Sequence, residues 1–263
     1  MMSDSMKFDR FRLSGIRRRS ILKGFATATA LVAIRGEVFG DDATKKIRVV
    51  TLGDSITKGV RPGVTANDTF AAMLQVRGIT EGFDLEVINV GIGGERTDQA
   101  LERFERDVVA KKPDIITVMY GANDSYVDPG KTASRISPEE FRQNLIKIVE
   151  RSQAVGIRVV LMTEPRWGAK PAPNGLGEHP NIRLEHFMIL AREVARAKML
   201  PLVEHFAEWT KREEEGLDLG TVTTDLLHPN PAGHRLMADS IWPVLKPVIE
   251  QVKVSSGERR KPQ

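Results

Sequence analysis

Gly53-Asp54-Ser55-Ile56-Thr57 follows the apolar run Ile47 to Leu52 directly, so a serine stands where a strand gives way to a turn. A serine at that place can serve as a nucleophile toward an acyl carbon, provided a base takes its proton. The same five residues also have a plain reading, since Gly-Asp-Ser is ordinary turn composition and Asp or Ser readily caps a following helix. A third reading, a phosphate cradle, lacks its sequence signature. Neither Gly-x-x-x-x-Gly-Lys nor Gly-x-Gly-x-x-Gly follows the first apolar run.

What would position such a serine is visible in the alternation of short apolar runs with longer segments of helical period. The runs are Ile47 to Leu52, Leu85 to Val90, Ile115 to Tyr120, Ile157 to Met162 and a weaker one near Leu202-Val203. They are apolar at successive positions, as strands covered by helices on both faces must be. Between them, Leu101, Phe104 and Val108 share one helical stripe; Phe141, Leu145, Ile148 and Val149 share a second; Leu184, Phe187, Met188 and Val194 share a third. Ser137-Pro138-Glu139-Glu140 carries the signals of a helix start: a capping serine, a proline in the first turn and two carboxylates at the positive end of the dipole. The last segment, Pro231 to Val252, has helical spacing at Ile241, Leu245, Val248 and Ile249, with Pro243 and Pro247 expected to kink or divide it.

This pattern predicts an α/β chain, a three-layer α/β/α sandwich with a five-stranded parallel sheet of flavodoxin-like type. In such sheets ligands gather beyond the carboxyl ends of the strands. Ser55 follows the first strand, Gly91 to Gly94 the second and Gly121 to Asp124 the third, so three loops distant in sequence converge on one edge.

Four short blocks occur in order: Gly53-Asp54-Ser55; Asn89-Val90-Gly91-Ile92-Gly93-Gly94; Gly121-Ala122-Asn123-Asp124; and Asp225-Leu226-Leu227-His228. Together they resemble the SGNH, or GDSL-type, hydrolases, over nearly the whole length from Ile47 to about Val252. The resemblance implies a serine esterase acting through an acyl-serine intermediate, with no metal and no organic cofactor. Ser55 would be the nucleophile, His228 its base, and Asp225 the acceptor that fixes the imidazole tautomer. The backbone amides of Ser55 and Gly94 and the side-chain amide of Asn123 would meet the oxyanion. Gly93 competes with Gly94; the family block ends in glycine and an acidic residue, matched here by Gly94-Glu95, with Glu95 where aspartate is usual and a doubled glycine before it. Asp54 reads as part of the turn and Asp124 as a loop-stabilising carboxylate. His234 reads as structural, and His179, His186 and His205 lack partners at metal-ligand spacing. Trp167, in the Gly/Pro-rich loop from Glu164 to Pro180, is either a wall of the substrate site or a pin for that loop.

The family pattern leaves the ester open. A short acyl group, acetyl above all, on a carbohydrate or other small molecule is the first expectation; lysophospholipid or thioester hydrolysis is the alternative of the same chemistry, and a non-catalytic carbohydrate- or lipid-binding module that of another class.

The first forty residues read as an export leader. Arg17-Arg18-Arg19-Ser20-Ile21-Leu22-Lys23 precedes an uncharged stretch of eleven residues, Gly24 to Ile34, too short for a spanning helix and similar to a twin-arginine signal. Domain organisation is thus expected as a removed leader over 1–40 and one hydrolase domain over 41–263, periplasmic or extracellular, without stable membrane insertion. The leader holds 8 of the 39 Lys and Arg and 3 of the 35 Asp and Glu, leaving 31 basic against 32 acidic residues. The basic balance therefore belongs to the leader and gives no reason to expect nucleic acid as a partner. The chain has no cysteine, which excludes thiol catalysis and cysteine metal sites.

Overall fold

The computed structural model describes residues 46–258; the expected export leader lies outside the described residues. Five strands form one parallel sheet: β1 (Ile47–Gly53), β2 (Leu85–Asn89), β3 (Ile115–Met119), β4 (Arg158–Met162) and β5 (Leu202–Val203), in the order β2-β1-β3-β4-β5. The order reverses at β1, so the crevice beyond its carboxyl end is where a parallel sheet opens to a ligand.

Among the described residues, eight α-helices connect and flank these strands: α1 (Ser55–Lys58), α2 (Phe70–Thr80), α3 (Thr97–Asp107), α4 (Ala122–Ser125), α5 (Pro138–Ala154), α6 (Asn181–Ala197), α7 (His205–Glu214) and α8 (Pro231–Glu258). Adjacent strand residues send their side chains to opposite faces, and the core divides accordingly. Val49, Ile115, Met119, Val160 and Met162 pack with α2 and α8, whereas Val50, Leu52, Ile116, Val118, Val159 and Leu161 pack with α3, α5 and α6. The three-layer α/β/α sandwich is as the sequence predicts.

Two expectations change. The two-sided burial expected of every strand holds for β1, β3 and β4, but β2 lies at the edge and is mostly half-buried, with Glu86 paired to Arg48 at 2.9 Å. The prolines of the last segment do not divide it, for α8 runs unbroken from Pro231 to Glu258. Pro243 and Pro247 lie on its exposed side, where the carbonyls that lose a donor meet water, while Met237, Ile241, Leu245, Val248 and Ile249 bury the opposite stripe. The signals at Ser137 act as read, with its hydroxyl accepting from the Glu140 amide at 3.2 Å and Pro138 opening α5.

Register places the loops. Gly53 lies opposite Met119 and Thr51 opposite Asn89, so β2, β1 and β3 end nearly level. The loops that follow them are held side by side.

Candidate active site

The turn after β1 is built around Asp54, whose buried carboxylate caps α1 by accepting from the Ile56 amide at 2.9 Å. Ser55 is the first residue of that helix. Gly53 cannot be larger, because a β-carbon there would stand 2.1 Å from Thr57 Oγ1 and 2.7 Å from the Met119 carbonyl oxygen. The loop after β2 is laced to the same turn. Asn89 Nδ2 donates to the Thr57 carbonyl at 2.6 Å, and the Ile92 amide donates to the Gly53 carbonyl at 3.1 Å. Gly94 takes a left-handed φ of 76° with open space where a β-carbon would stand, and a β-carbon on Gly93 would approach Ser55 Cβ to 4.0 Å, so Gly93 borders the serine loop.

The loop before α8 brings the expected histidine across 173 residues of chain. Ser55 Oγ lies 2.8 Å from His228 Nε2, and His228 Nδ1 lies 2.8 Å and 3.0 Å from the two oxygens of Asp225. With Nδ1–H donating to Asp225, Nε2 is the acceptor facing the serine hydroxyl. Asp225 also accepts from the backbone amides of Leu227 and His228, a tight turn that puts Leu226 at φ 70°. The Leu226 carbonyl accepts from the Gly168 amide at 2.7 Å, which ties the loop after β4 to this turn.

Burial lowers the His228 pKa, Asp225 opposes that, and the positive charge of Arg61 adds to the lowering, so the ring is held neutral, as a base must be. Burial alone would raise Asp225, but the His228 amide, the His228 ring and Arg61 outweigh it and hold the carboxyl below its ordinary value.

Asn123 sits on α4, reached through Gly121 at φ 142°. One hydrogen of its Nδ2 goes to Asp54 Oδ2 at 2.7 Å, and Arg135 Nη1 donates to its Oδ1 at 3.3 Å. These two contacts decide which end of the amide is which and leave a second Nδ2–H uncommitted. Asp124 accepts from the Thr97 amide and hydroxyl at 2.9 and 2.5 Å and so ties α4 to α3. Glu95 reaches Arg103 and the Tyr120 hydroxyl, all three buried.

The remaining sequence candidates are elsewhere. His234 is buried at the start of α8 with Nδ1 accepting from the Phe70 amide at 3.3 Å, and burial lowers its pKa to about 4. His205 is buried, His186 is exposed, and His179 bridges the Gly168 carbonyl and the Asn181 amide. Trp167 is pinned by reciprocal bonds of its backbone with the Asn181 side chain, 2.8 and 2.9 Å, and packs against the core. A cavity of about 400 Å³ along Ser134, Arg183 and His186 includes none of the four blocks. Three neighbours of the site had no signal in the sequence: Arg61, which donates to Asp225 Oδ2 at 2.8 Å, Arg135, and Glu164. Each is of an ordinary ionisable residue type in a loop, recognisable only by what it meets in space.

Comparison with known proteins agrees with this architecture. A sequence model of the GDSL-like lipase/acylhydrolase family matches residues 51–236. The chain is similar to the uncharacterized lipoprotein YqeF of Bacillus subtilis, 29% identical with 73% of this chain and 87% of that protein covered, and to the esterase TesA of Pseudomonas aeruginosa, 26% identical with 76% and 89% covered. Among solved structures it is similar to the acetyl xylan esterase AlAXEase, with a TM-score of 0.62, 27% identity, and 75% of this chain and 98% of that one covered.

Proposed function

The chain belongs to the GDSL-like lipase/acylhydrolase family and is a carboxylic ester hydrolase, and from that premise we propose that Ser55, His228 and Asp225 perform the hydrolysis. The observation that carries the assignment is the unbroken series from Ser55 Oγ to His228 Nε2, at 2.8 Å, and from His228 Nδ1 to Asp225, also at 2.8 Å.

In this reading His228 Nε2 takes the hydroxyl proton as Ser55 Oγ bonds to the acyl carbon. The carbonyl oxygen becomes an oxyanion and is met by the amides of Ser55 and Gly94 and by the free Nδ2–H of Asn123. The bond to the leaving oxygen breaks as His228 returns the proton to it, and the acyl group stays on Ser55. Water then gives its proton to His228 and attacks the acyl-serine; collapse releases the acid, and the proton returns to Ser55.

The substrate we assign is a short acyl ester, acetyl first, on a carbohydrate. The acetyl xylan esterase among the similar structures supports this, and so does the Gly/Pro-rich, polar rim formed by residues 164–180. We further assign the protein to the periplasm or the cell exterior, on the strength of the leader sequence and the similarity to a lipoprotein. A fluorophosphonate probe labels Ser55 in the wild type and nothing in Ser55→Ala, and release assays favour acetylated oligosaccharides over nitrophenyl esters of long acyl chains. Labelling that persists in Ser55→Ala ends the mechanism, and preference for long chains ends the substrate assignment. Mass spectrometry of the exported protein checks the leader; an intact Met1 there overturns its removal.

A further inference from the structure

Behind the candidate site lies a group of carboxyls that the hydrolysis itself does not use. Glu164, in the first turn of chain after β4, is fully buried and lies against Asp54, and neither of its oxygens accepts a well-formed hydrogen bond, although the Ala122 amide faces it. Asp54 is the opposite case. Its Oδ1 accepts from the Ile56 amide and its Oδ2 from Asn123 Nδ2.

Two carboxylates pressed together in a buried site cannot both be charged, so one keeps a proton. The donors decide which: Asp54 has two and suits the charge, whereas Glu164 has none that is well formed and suits the proton. A protonated carboxyl needs an acceptor for its own O–H, and Asp54 is in reach. The surroundings favour the same arrangement. Asp124 on α4 adds negative potential at both carboxyls, and Glu95 adds it at Asp54. Arg135, whose Nη1 donates to Asn123 Oδ1, is engaged by Asp128, and Arg103 is engaged by Glu95, which also accepts from the Tyr120 hydroxyl. From α6 the Met188 sulfur accepts from the Glu164 amide at 3.0 Å. Burial, the neighbouring charges and the shared contact raise Glu164 well above the ordinary carboxyl range. Gly121 lets the loop close over this group, since a β-carbon there would stand 2.3 Å from Met188 Cε and 3.7 Å from Glu164 Cγ.

We infer that Glu164 is a positioning residue for the oxyanion site: its carboxyl O–H donates to the Asp54 carboxylate, which thereby holds the Asn123 amide in the orientation that leaves one Nδ2–H facing the substrate. Asp54 then has a double task, joining the turn that carries Ser55 to the side chain that receives the developing charge. Ionisation of Glu164 sets two negative charges against each other, and Asp54 can relieve the repulsion only by shifting its grip on Asn123. This inference rests on the proposal that Asn123 is an oxyanion donor.

The test compares wild type, N123A, E164Q and E164M by kcat and KM for a short-chain nitrophenyl ester from neutral into alkaline pH, with circular dichroism and urea midpoints recorded for each. N123A loses about a hundredfold to a thousandfold in kcat. E164M, which offers Asp54 no donor, loses kcat by about tenfold or more with KM little changed, because the donor is displaced and not removed. E164Q supplies an N–H in place of the O–H and recovers most of that loss. The wild type loses turnover on the alkaline side as Glu164 ionises, and E164Q, having no proton to lose, lacks that limb. A folded E164M with wild-type kcat overturns the inference, and so does an E164Q that is as impaired as E164M or keeps the wild-type alkaline limb. Where E164M does not fold, the alkaline limb of E164Q decides. An N123A with wild-type kcat is the separate failure of the oxyanion proposal, whatever the Glu164 variants do.

Discussion

Arg61 Nη2 donates at 2.8 Å to Asp225 Oδ2, the same oxygen that lies 2.8 Å from His228 Nδ1. A guanidinium therefore stands at the far end of the series that runs through Asp225 and His228 to Ser55, held there by a loop 164 residues away in sequence. It draws on the carboxylate that steadies the imidazolium and repels that imidazolium directly.

Removal of Arg61 should raise the pKa of His228. The protonated ring loses a repulsive neighbour, and Asp225 turns its full charge toward it, so the acid limb of kcat/KM moves to higher pH in Arg61→Met. Both partners are partly exposed, and solvent screening keeps the shift small. In the wild type that limb lies below the ordinary imidazole value of about 6.5, because burial has already lowered His228. NMR titration of the His228 ring protons measures both quantities; a shift to lower pH in the variant contradicts the arrangement.

Gly53→Ala should destabilise the protein by about 1–3 kcal/mol through overpacking, since the added methyl meets Thr57 Oγ1 and the Met119 carbonyl oxygen in a buried turn. Urea denaturation measures it. The same displacement moves Ser55, so activity should fall even in the fraction that remains folded.

Arg103→Met should cost more. Arg103 and Glu95 are both buried, and Arg103 makes two hydrogen bonds to Glu95, so the variant leaves a carboxylate without its cation beside Tyr120. Loss of one member of a buried pair costs about 3–5 kcal/mol. The double variant with Glu95→Leu should recover much of it, and the same denaturation experiment reads both.

His205→Phe should make the protein more resistant to acid. Burial lowers the folded pKa of His205 to about 3, and neither ring nitrogen has a hydrogen-bond partner. Below about pH 6.5 the unfolded chain binds a proton that the folded one does not, so stability falls as pH falls from there toward the folded pKa. The phenyl ring removes this proton uptake. The urea midpoint of the variant should therefore decline less between neutral pH and about pH 4, and a slope equal to that of wild type counts against the buried neutral imidazole.

Much of the fold and site was legible because the relevant signals are local. Runs such as Ile115 to Tyr120 are apolar at successive positions, which marks a strand covered on both faces, and Ser137-Pro138 marks a helix start within four residues. The four blocks fall beyond strands or before the last helix, and their residue types name a chemistry. Less was legible where a signal competed with packing. Pro243 and Pro247 suggested a break that a buried stripe on the far side of α8 overrides, and the short β2 reads like its neighbours although it lies at the sheet edge.

Sequence alone thus determined which residue types stand at the ends of which elements, because side-chain period, turn chemistry and caps act over a few residues. Tertiary structure decided their meetings. Parallel register sets Gly53 opposite Met119, and that brings Asn123 to Asp54; loop closure over long chain separations brings Arg61 to Asp225 and Glu164 to Asp54. Charge pairing and desolvation depend on distance in space. A lone arginine or glutamate in a loop carries no mark of its partner until the chain has folded.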